Sequence, residues 1–274
     1  MKNNKIITPL LMLCMLIGIG LLLYPSLSSY INEKNSTKAV ASYHEQVEEL
    51  ADNRVDRLFQ DALLYNEALL EKGITLAPGE EQLSRYHRTL NINADGMMAS
   101  IEIPSIHVNL PIYHGTSDEV LQTAVGHMEW SALPVGGSGS HCVVSGHRGL
   151  PSAKLFTDLD RMVVGDVFYI HTLNRTLIYE VEEIAIVEPK DTSLLMPISG
   201  RDLCTLVTCT PYSVNSHRLL IRGHRIEEEA RGNDVYVMTD GFLMDPLLLT
   251  PIIAVPLYLL LMLGVLLRKP KRKG

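Results

Sequence analysis

Residues 203–223 read LCTLVTCTPYSVNSHRLLIRG and contain two short strand-like runs, 203–208 and 218–222, separated by a turn that is rich in Pro, Ser and Asn. Cys209 stands where the first run ends, beside the turn. A side chain in that position projects at the rim of a sheet, where a second molecule can reach it. The segment therefore predicts a β structure with a thiol at its edge.

A second segment ends in the same way. Residues 143–149 read VVSGHRG, and His147 follows the end of an apolar strand-like run. A thiol attacks as a thiolate and needs a base or a positive charge nearby, and a departing amide nitrogen needs an acid. One Cys–His pair meets both needs. The oxyanion that forms needs a fixed donor, for which Arg218 and Arg222 are equal candidates because they share one face of a strand.

Further strand-like runs separated by Gly, Pro, Asn and Asp lie at 99–104, 108–113, 142–145, 167–171 and 176–187. Helical insertions are predicted at 117–125 and near 153–159. Residues 38–72 carry apolar residues at helical spacing without Gly or Pro and predict one amphipathic helix, followed by a polar connection at 73–97. Many short strands with few helices indicate a mainly β protein, either a closed barrel or a sandwich.

Both ends of the chain are apolar. The uncharged runs 6–24 and 246–267 are each long enough to cross a membrane. Lysines precede the first run and a basic tail follows the second, so we expect both termini in the cytoplasm and residues 25–245 outside. A cleaved signal peptide is the alternative for the first run. Without the tail the outer part is acidic, which argues against a nucleic-acid partner.

The cysteines predicted to lie outside are Cys142, Cys204 and Cys209. Three thiols do not form a disulfide scaffold, and the sequence has no CxxC pair of the kind that structural zinc sites use. Cys142 and Cys204 fall on the strand faces opposite to the candidate chemistry. If their strands pair in register, these two thiols become neighbours in the core, and we expect free thiols there in preference to a disulfide.

The motifs TLVTC at 205–209, GHRG at 146–149 and CTPYSVNSHRLLIRG at 209–223 together resemble the sortase family. Four more stretches agree in order along about 98–226: IEIP at 101–104, LPIYHGT at 110–116, LPSAKLF at 150–156 and GDV at 165–167. Within the family, the CTPY segment and the second apolar run are most similar to class C, the pilin-polymerising sortases.

The resemblance implies a sortase-type eight-stranded β-barrel with short helices, preceded by the amphipathic helix and flanked by two transmembrane helices. It assigns Cys209 as nucleophile, His147 as its proton partner and Arg218 as the oxyanion donor. The implied reaction cleaves an LPxTG-like sorting signal between Thr and Gly and transfers the thioacyl group to a lysine of a pilin subunit. No organic cofactor and no metal are implied.

The expected organisation is that of a two-pass protein in a Gram-positive cell membrane, with its catalytic domain outside. Its parts in chain order are a cytoplasmic end (1–5), a span (6–24), a helix with a lid-like connection (25–97), the barrel (98–228), a linker (229–245), a span (246–267) and a basic tail (268–274). Many class C enzymes cover the site with an Asp-Pro-aromatic anchor. Residues 70–95 lack that tripeptide, so we expect the connection to cover the groove only loosely.

Other outcomes remain open at the level of sequence. A sortase that attaches surface proteins to the cell-wall peptide would carry the same motifs, and so would a surface cysteine protease that transfers the acyl group to water. A non-catalytic membrane scaffold is disfavoured because Cys209, His147 and Arg218 are all present.

Overall fold

The computed structural model describes residues 4–227 and Tyr258. The predicted linker at 229–245, the basic tail at 268–274 and, apart from Tyr258, the second span at 246–267 lie outside the described residues. Two compact units divide the chain, one formed by Met1–Leu27 with Asn233–Gly274 and the other by Ser28–Gly232. The barrel and the candidate chemistry belong to the second unit.

Three helices precede the barrel, α1 (Asn4–Glu48), α2 (Asp52–Lys72) and α3 (Glu80–Arg88). The single helix predicted over 38–72 is therefore wrong, because the helical path breaks at 49–51, where Ala51 has extended backbone angles. The break changes the direction of the chain so that apolar stripes on both α1 and α2 are buried. Within the described part of the chain, α1 has one stretch that is long and apolar enough to cross a membrane.

The prediction that residues 73–97 form a polar connection without helix or strand is also wrong, because these residues contain α3. Its first turn carries Glu80 and Glu81, and its last turn carries basic side chains. This charge order complements the helix dipole and stabilises a short helix. The polar composition that suggested a loop is that of a helix with one buried side, on which Tyr86 is fully buried.

Eight strands close into a barrel in the order β1-β2-β3-β4-β7-β8-β6-β5. Neighbouring strands are antiparallel except for the parallel pairs β2–β3 and β4–β7. In chain order the strands are β1 (Met97–Ile103), β2 (Val108–His114), β3 (Val125–His127), β4 (His141–Ser145), β5 (Val167–Thr172), β6 (Arg175–Val187), β7 (Leu203–Thr210) and β8 (His217–Ile226).

The closed barrel confirms the mainly β prediction, and the strand-like runs in the sequence fall on all of these strands except β3. That strand has only three residues and lies at the end of the predicted helical insertion 117–125. The insertion itself is shorter than predicted, because α4 covers Asp118–Leu121 with Ser117 as its cap. Near 153–159 the chain forms turns, and a short 3-10 helix follows at Leu159–Arg161.

Buried polar side chains from α1 and α2 attach these helices to the barrel. The Tyr43 hydroxyl donates to Met98 O (2.9 Å) and accepts from Leu173 N (2.9 Å). The Asn66 amide donates to Leu133 O (3.1 Å) and accepts from Leu133 N (2.7 Å). Each side chain therefore satisfies two backbone groups that would otherwise be buried without partners.

Tyr86 attaches α3 in the same manner. Its hydroxyl accepts from Gly115 N (2.9 Å) and lies 2.9 Å from His127 Nδ1 and 3.1 Å from His127 O. His127 Nε2 is 2.8 Å from Ala132 O, which can only accept, so Nε2 carries a proton and donates it to this carbonyl. Burial raises the pKa of Tyr86 well above its ordinary value, which keeps the hydroxyl protonated.

The lid-like connection is thus held more tightly than its sequence indicates. Tyr86 contacts the chain where β2 and β3 end, at Gly115 and His127. The segment that follows α3 is also held, because the His114 ring nitrogens each lie 2.8 Å from a carbonyl oxygen, that of Gly96 and that of Thr89.

The hydrogen bonds that anchor Tyr86 predict that removal of its hydroxyl oxygen destabilises the protein. We expect Tyr86→Phe to lower the free energy of unfolding by about 1–3 kcal/mol, because Gly115 N and His127 lose a buried partner. Denaturant unfolding of the full chain in detergent measures this change. Tyr113→Phe is the control, since the described residues give that half-buried hydroxyl no hydrogen bond. Equal stability of Tyr86→Phe and the parent chain would show that the anchor contributes nothing.

Candidate active site

Alternation along β7 and β8 separates a core face from an outer face. Cys204, Leu206, Leu219 and Ile221 are buried in the main core inside the barrel. Cys209 lies on the other face of β7 and is half-buried. The thiol is therefore at the surface of the barrel, at the end of its strand, as the sequence predicted.

The parallel pairing of β4 with β7 brings the His147 turn to the same end. Ser145 is the register partner of Val207, and Gly146 N continues the ladder by donating to Val207 O (3.1 Å). The Thr208 hydroxyl then donates to Gly146 O (2.7 Å). Counting two residues onward from this pair, along the continuation of each strand, places His147 level with Cys209. The half-buried His147 thus follows a strand end that is hydrogen-bonded to the strand of the thiol.

Arg218 is the direct cross-strand partner of Cys209 in the antiparallel pair β7–β8. Opposed residues in such a pair have neighbouring side chains on the same face. Its Nη1 donates to Asn215 O (3.3 Å) and to His217 O (3.1 Å), so the guanidinium is held against the turn that connects the two strands. Arg218 therefore stands opposite the candidate nucleophile in the strand pair.

Arg222, the competing arginine, lies further along β8, where it pairs with Thr205. Its Nε donates to Glu182 Oε1 (2.9 Å), and its Nη2 pairs with the carboxylate of Glu183. Burial alone would raise the pKa of Glu182, but Arg201 and Arg222 together lower it. Arg222 is therefore committed to carboxylates at a distance from the thiol, which separates two arginines that the sequence leaves equivalent.

The remaining histidines near the sheet serve other contacts. His141 lies between Met196 O (3.0 Å) and Thr205 Oγ1 (2.7 Å), and its burial lowers its pKa to about 4. It is therefore a neutral, structural residue at neutral pH. His224 lies 3.4 Å from Glu182. His217 is exposed and contacts Ser216 Oγ (2.9 Å).

Cys142 and Cys204 are register partners in β4–β7, and both are buried as free thiols. Their expected proximity in the core is confirmed. Burial raises the pKa of Cys204 well above its ordinary value. Because both side chains lie in the core, the pair is separated from the surface chemistry. Among the described residues there is no cluster of His, Cys, Asp and Glu that could hold a metal ion.

An apolar strip lies on the outer face next to Cys209, which reasoning from the sequence missed. Val143, Val207, Leu220 and Leu195 form a small cluster apart from the main core. Partly buried residues flank this strip: Met128, Trp130, Ala185, Val187 and Leu194. The sequence does contain a signal for this strip, because β7 carries apolar residues on both of its faces. A strand of that kind needs a cover on its second face as well.

A cavity of about 420 Å³ lies elsewhere, lined by residues of α2, the first residues of β6, the residue before β7 and Arg225 of β8. Its lining includes Phe59, Arg175 and Asp202 but none of His147, Cys209 and Arg218. The candidate chemistry thus lies on the outer face of the sheet and not in this cavity.

Comparisons with known proteins point in one direction. A family model described as the sortase domain matches residues 101–226. The crystal structure of sortase C1 from Streptococcus agalactiae is 44% identical, covers 69% of this chain and 98% of its own, and superimposes with a TM-score of 0.68. A structure of sortase C from Streptococcus pneumoniae, described in connection with pilin substrate specificity, is 38% identical with a TM-score of 0.61 and covers 69% of this chain and 97% of its own. Sortase A of Streptococcus agalactiae is 26% identical over 180 residues, 65% of this chain and 70% of that protein.

Proposed function

This chain belongs to the sortase family of cysteine transpeptidases, and on that premise we propose that it polymerises pilins through Cys209, His147 and Arg218. Its substrate would be the sorting signal of a surface protein, of LPxTG type, cleaved between Thr and Gly. The observation that carries the proposal is the register of three strands, which aligns Arg218 with Cys209 and brings the His147 turn level with both.

The first half-reaction forms a thioester. The Cys209 sulfur attacks the threonine carbonyl carbon, and the carbonyl oxygen takes up negative charge beside the Arg218 guanidinium. The C–N bond to glycine then breaks, and His147 delivers a proton to the departing amine. The anchored end of the signal leaves, and the rest of the substrate stays on the sulfur as a thioacyl group.

The second half-reaction transfers the acyl group to an amine. A neutral lysine Nζ of a second pilin attacks the thioester carbonyl, Arg218 again faces the oxyanion, and the C–S bond breaks. His147 takes the proton that the new amide releases, and Cys209 returns to its initial state. One peptide bond is replaced by one isopeptide bond, so that neither an oxidant nor a cofactor enters the balance. If lysine attacks the thioester faster than water does, the product is a polymer. If water attacks first, the substrate is only hydrolysed.

The apolar strip suits the apolar part of such a signal. Val207 precedes Cys209 by two positions on the same face, and its cross-strand partner Leu220 follows Arg218 by two. A peptide lying along this face would place leucine and proline side chains on the partly buried flank of the strip, at Met128, Trp130 and Val187, while its threonine carbonyl reaches the thiol. Burying those side chains stabilises the complex by about 25 cal/mol for each Å² of apolar area removed from water.

Sortases are anchored in the membrane of Gram-positive bacteria, and α1 has the length and composition for one span. We propose a second span at 246–267, with both termini in the cytoplasm, because lysine and arginine collect on the cytoplasmic side. A reporter enzyme that works only in the cytoplasm should be active when fused after Gly274. Activity of a reporter that works only outside the cell would contradict the two-pass topology.

The reaction is tested by incubating the full chain with a peptide that carries LPxTG. We expect cleavage between Thr and Gly and a transient mass adduct on Cys209. Cys209→Ala should abolish both, whereas Cys142→Ala and Cys204→Ala should retain both, because these thiols lie in the core. Adding a purified pilin then distinguishes the outcomes: a ladder of polymers supports the proposal, and hydrolysis alone or transfer only to a cell-wall peptide contradicts it.

The two arginines make a matched pair of variants. Arg218→Ala should lower turnover by roughly 100- to 1000-fold, the usual scale for the loss of an oxyanion donor. Arg222→Ala should reduce turnover far less but lower the melting temperature, because Glu183 loses its partner and Glu182 keeps only one of its two arginines. Steady-state cleavage of the peptide and thermal unfolding measure the two effects. The opposite ranking of turnover would move the oxyanion role to Arg222.

A further inference from the structure

Arg148, the residue after His147, has a side chain that is only 9% exposed. Its Nη1 donates to Thr210 Oγ1 (3.3 Å), and its Nη2 pairs with the carboxylate of Asp160. The guanidinium carbon also lies 5.9 Å from the centre of the Tyr212 ring. One side chain therefore contacts three separate parts of the chain around the candidate site.

These parts are the ones whose positions matter for the reaction. Thr210 follows Cys209 at the end of β7, and it is itself buried. Tyr212 belongs to the turn that leads on to Arg218. Because Arg148 is attached to the His147 turn, its contacts tie that turn to the strand end that carries the thiol.

The backbone of the His147 turn supplies little restraint toward β7. The ladder with β7 ends at Gly146, after which His147 O accepts from Phe156 N (3.1 Å) and Gly149 N donates to Thr157 Oγ1 (3.1 Å). These bonds attach the turn to the loop that follows it. Among the hydrogen bonds of the described residues, the one from Arg148 to Thr210 joins the turn beyond Gly146 to β7.

Glycines on both sides of His147 leave room for this arrangement. A Cβ on Gly146 would come within 2.8 Å of the Phe156 ring. Gly149 has a φ of +75°, and a Cβ there would come within 2.8 Å of the Tyr212 ring. Both positions therefore exclude larger residues, so the turn lies close to its neighbours but carries few side chains of its own to hold it.

The contacts of Arg148 are not those that stability alone would select. Its Nε is buried, and the described residues offer it no hydrogen-bond partner. A buried donor without a partner costs free energy, and an apolar side chain of similar volume often packs without that cost. The planar guanidinium has a property that an apolar side chain lacks, since it donates in two fixed directions at once.

We propose that Arg148, with Asp160 as its counter-ion, is a positioning residue that fixes the His147 ring at working distance from the Cys209 sulfur. The guanidinium joins Thr210 to Asp160. Because Arg148 is adjacent to His147, these contacts also hold the His147 turn in position. Arg148 does not contact the substrate in this scheme and acts through His147. The inference deepens the proposed function and rests on it, because it assigns no chemistry of its own.

The test measures acylation by the sorting-signal peptide in the full chain, well below the lowest melting temperature among the variants. We expect Arg148→Ala to lower kcat by about 10- to 100-fold, the scale of a misplacement of about 1 Å, with little change in KM. Arg148→Lys should recover part of this loss, because a point charge restores the pair with Asp160 but not the second arm. Thr210→Val and Asp160→Asn, which each remove one contact, should give intermediate values of kcat.

Arg175 supplies a matched control. It also pairs with an aspartate, Asp56, and lies over an aromatic ring, that of Phe59 at 4.1 Å, but it stands at the start of β6, at the opposite end of that strand from Val187, the partner of Arg218. Arg175→Ala should therefore leave kcat unchanged. A merely structural role for Arg148 would lower the melting temperature of Arg148→Ala and leave the kcat of the folded protein at the parent value.

The outcomes separate the two levels of the argument. If the parent chain does not cleave the peptide, the proposed function fails. If the parent cleaves it and Arg148→Ala keeps its kcat, the positioning role is wrong and the proposed function stands. A rise in KM with unchanged kcat would also overturn the positioning role, because it would place Arg148 in contact with the substrate. A loss in Arg175→Ala as large as that in Arg148→Ala would do the same.

Discussion

The parallel pairing of β4 with β7 is the constraint on which the candidate site depends. These strands are far apart in sequence, and their register decides whether the residues that follow each strand meet. With Ser145 opposite Val207, His147 and Cys209 arrive at one edge of the barrel. A slip of one residue would turn all of the side chains of one strand to the other face. The thiol would then point into the core, and Cys204 would point to the surface.

The same register explains why the two faces of β7 have different roles. Cys204 and Leu206 contribute to the core, and Val207 and Cys209 to the outer face. Burial on the inner face makes the register costly to change, because each of those side chains would lose its packing. The outer face can therefore carry reactive groups while its geometry is set from inside the barrel.

Much of this architecture is predictable from the sequence, because it depends on local patterns. Alternation and turn residues locate every strand except β3, which is too short to have a pattern. The proximity of Cys142 and Cys204 follows from counting residues along two strands that pair in register. The break between α1 and α2 is not predictable in this way, because no glycine or proline marks it and the packing of both stripes on the barrel determines it.

Contacts between distant polar residues were also beyond prediction. Arg218 and Arg222 look alike in the sequence, and the difference between them comes from Glu182 and Glu183 on a neighbouring strand. Asn66 lies in a predicted amphipathic helix and Tyr86 in a predicted polar connection, yet each satisfies backbone groups of the rest of the chain. Such partners are specified by the tertiary fold alone.

The hydrogen bonds of Tyr43, Asn66 and Tyr86 also have a consequence for hydrogen exchange. The amides of Leu173, Leu133 and Gly115 donate to side chains of α1, α2 and α3 respectively, whereas the barrel amides donate to neighbouring strands. The exchange rate of each of these amides therefore reports the opening free energy of one helix, apart from that of the barrel. The chain thus contains its own set of reporters for the order in which α1, α2 and α3 detach from the barrel.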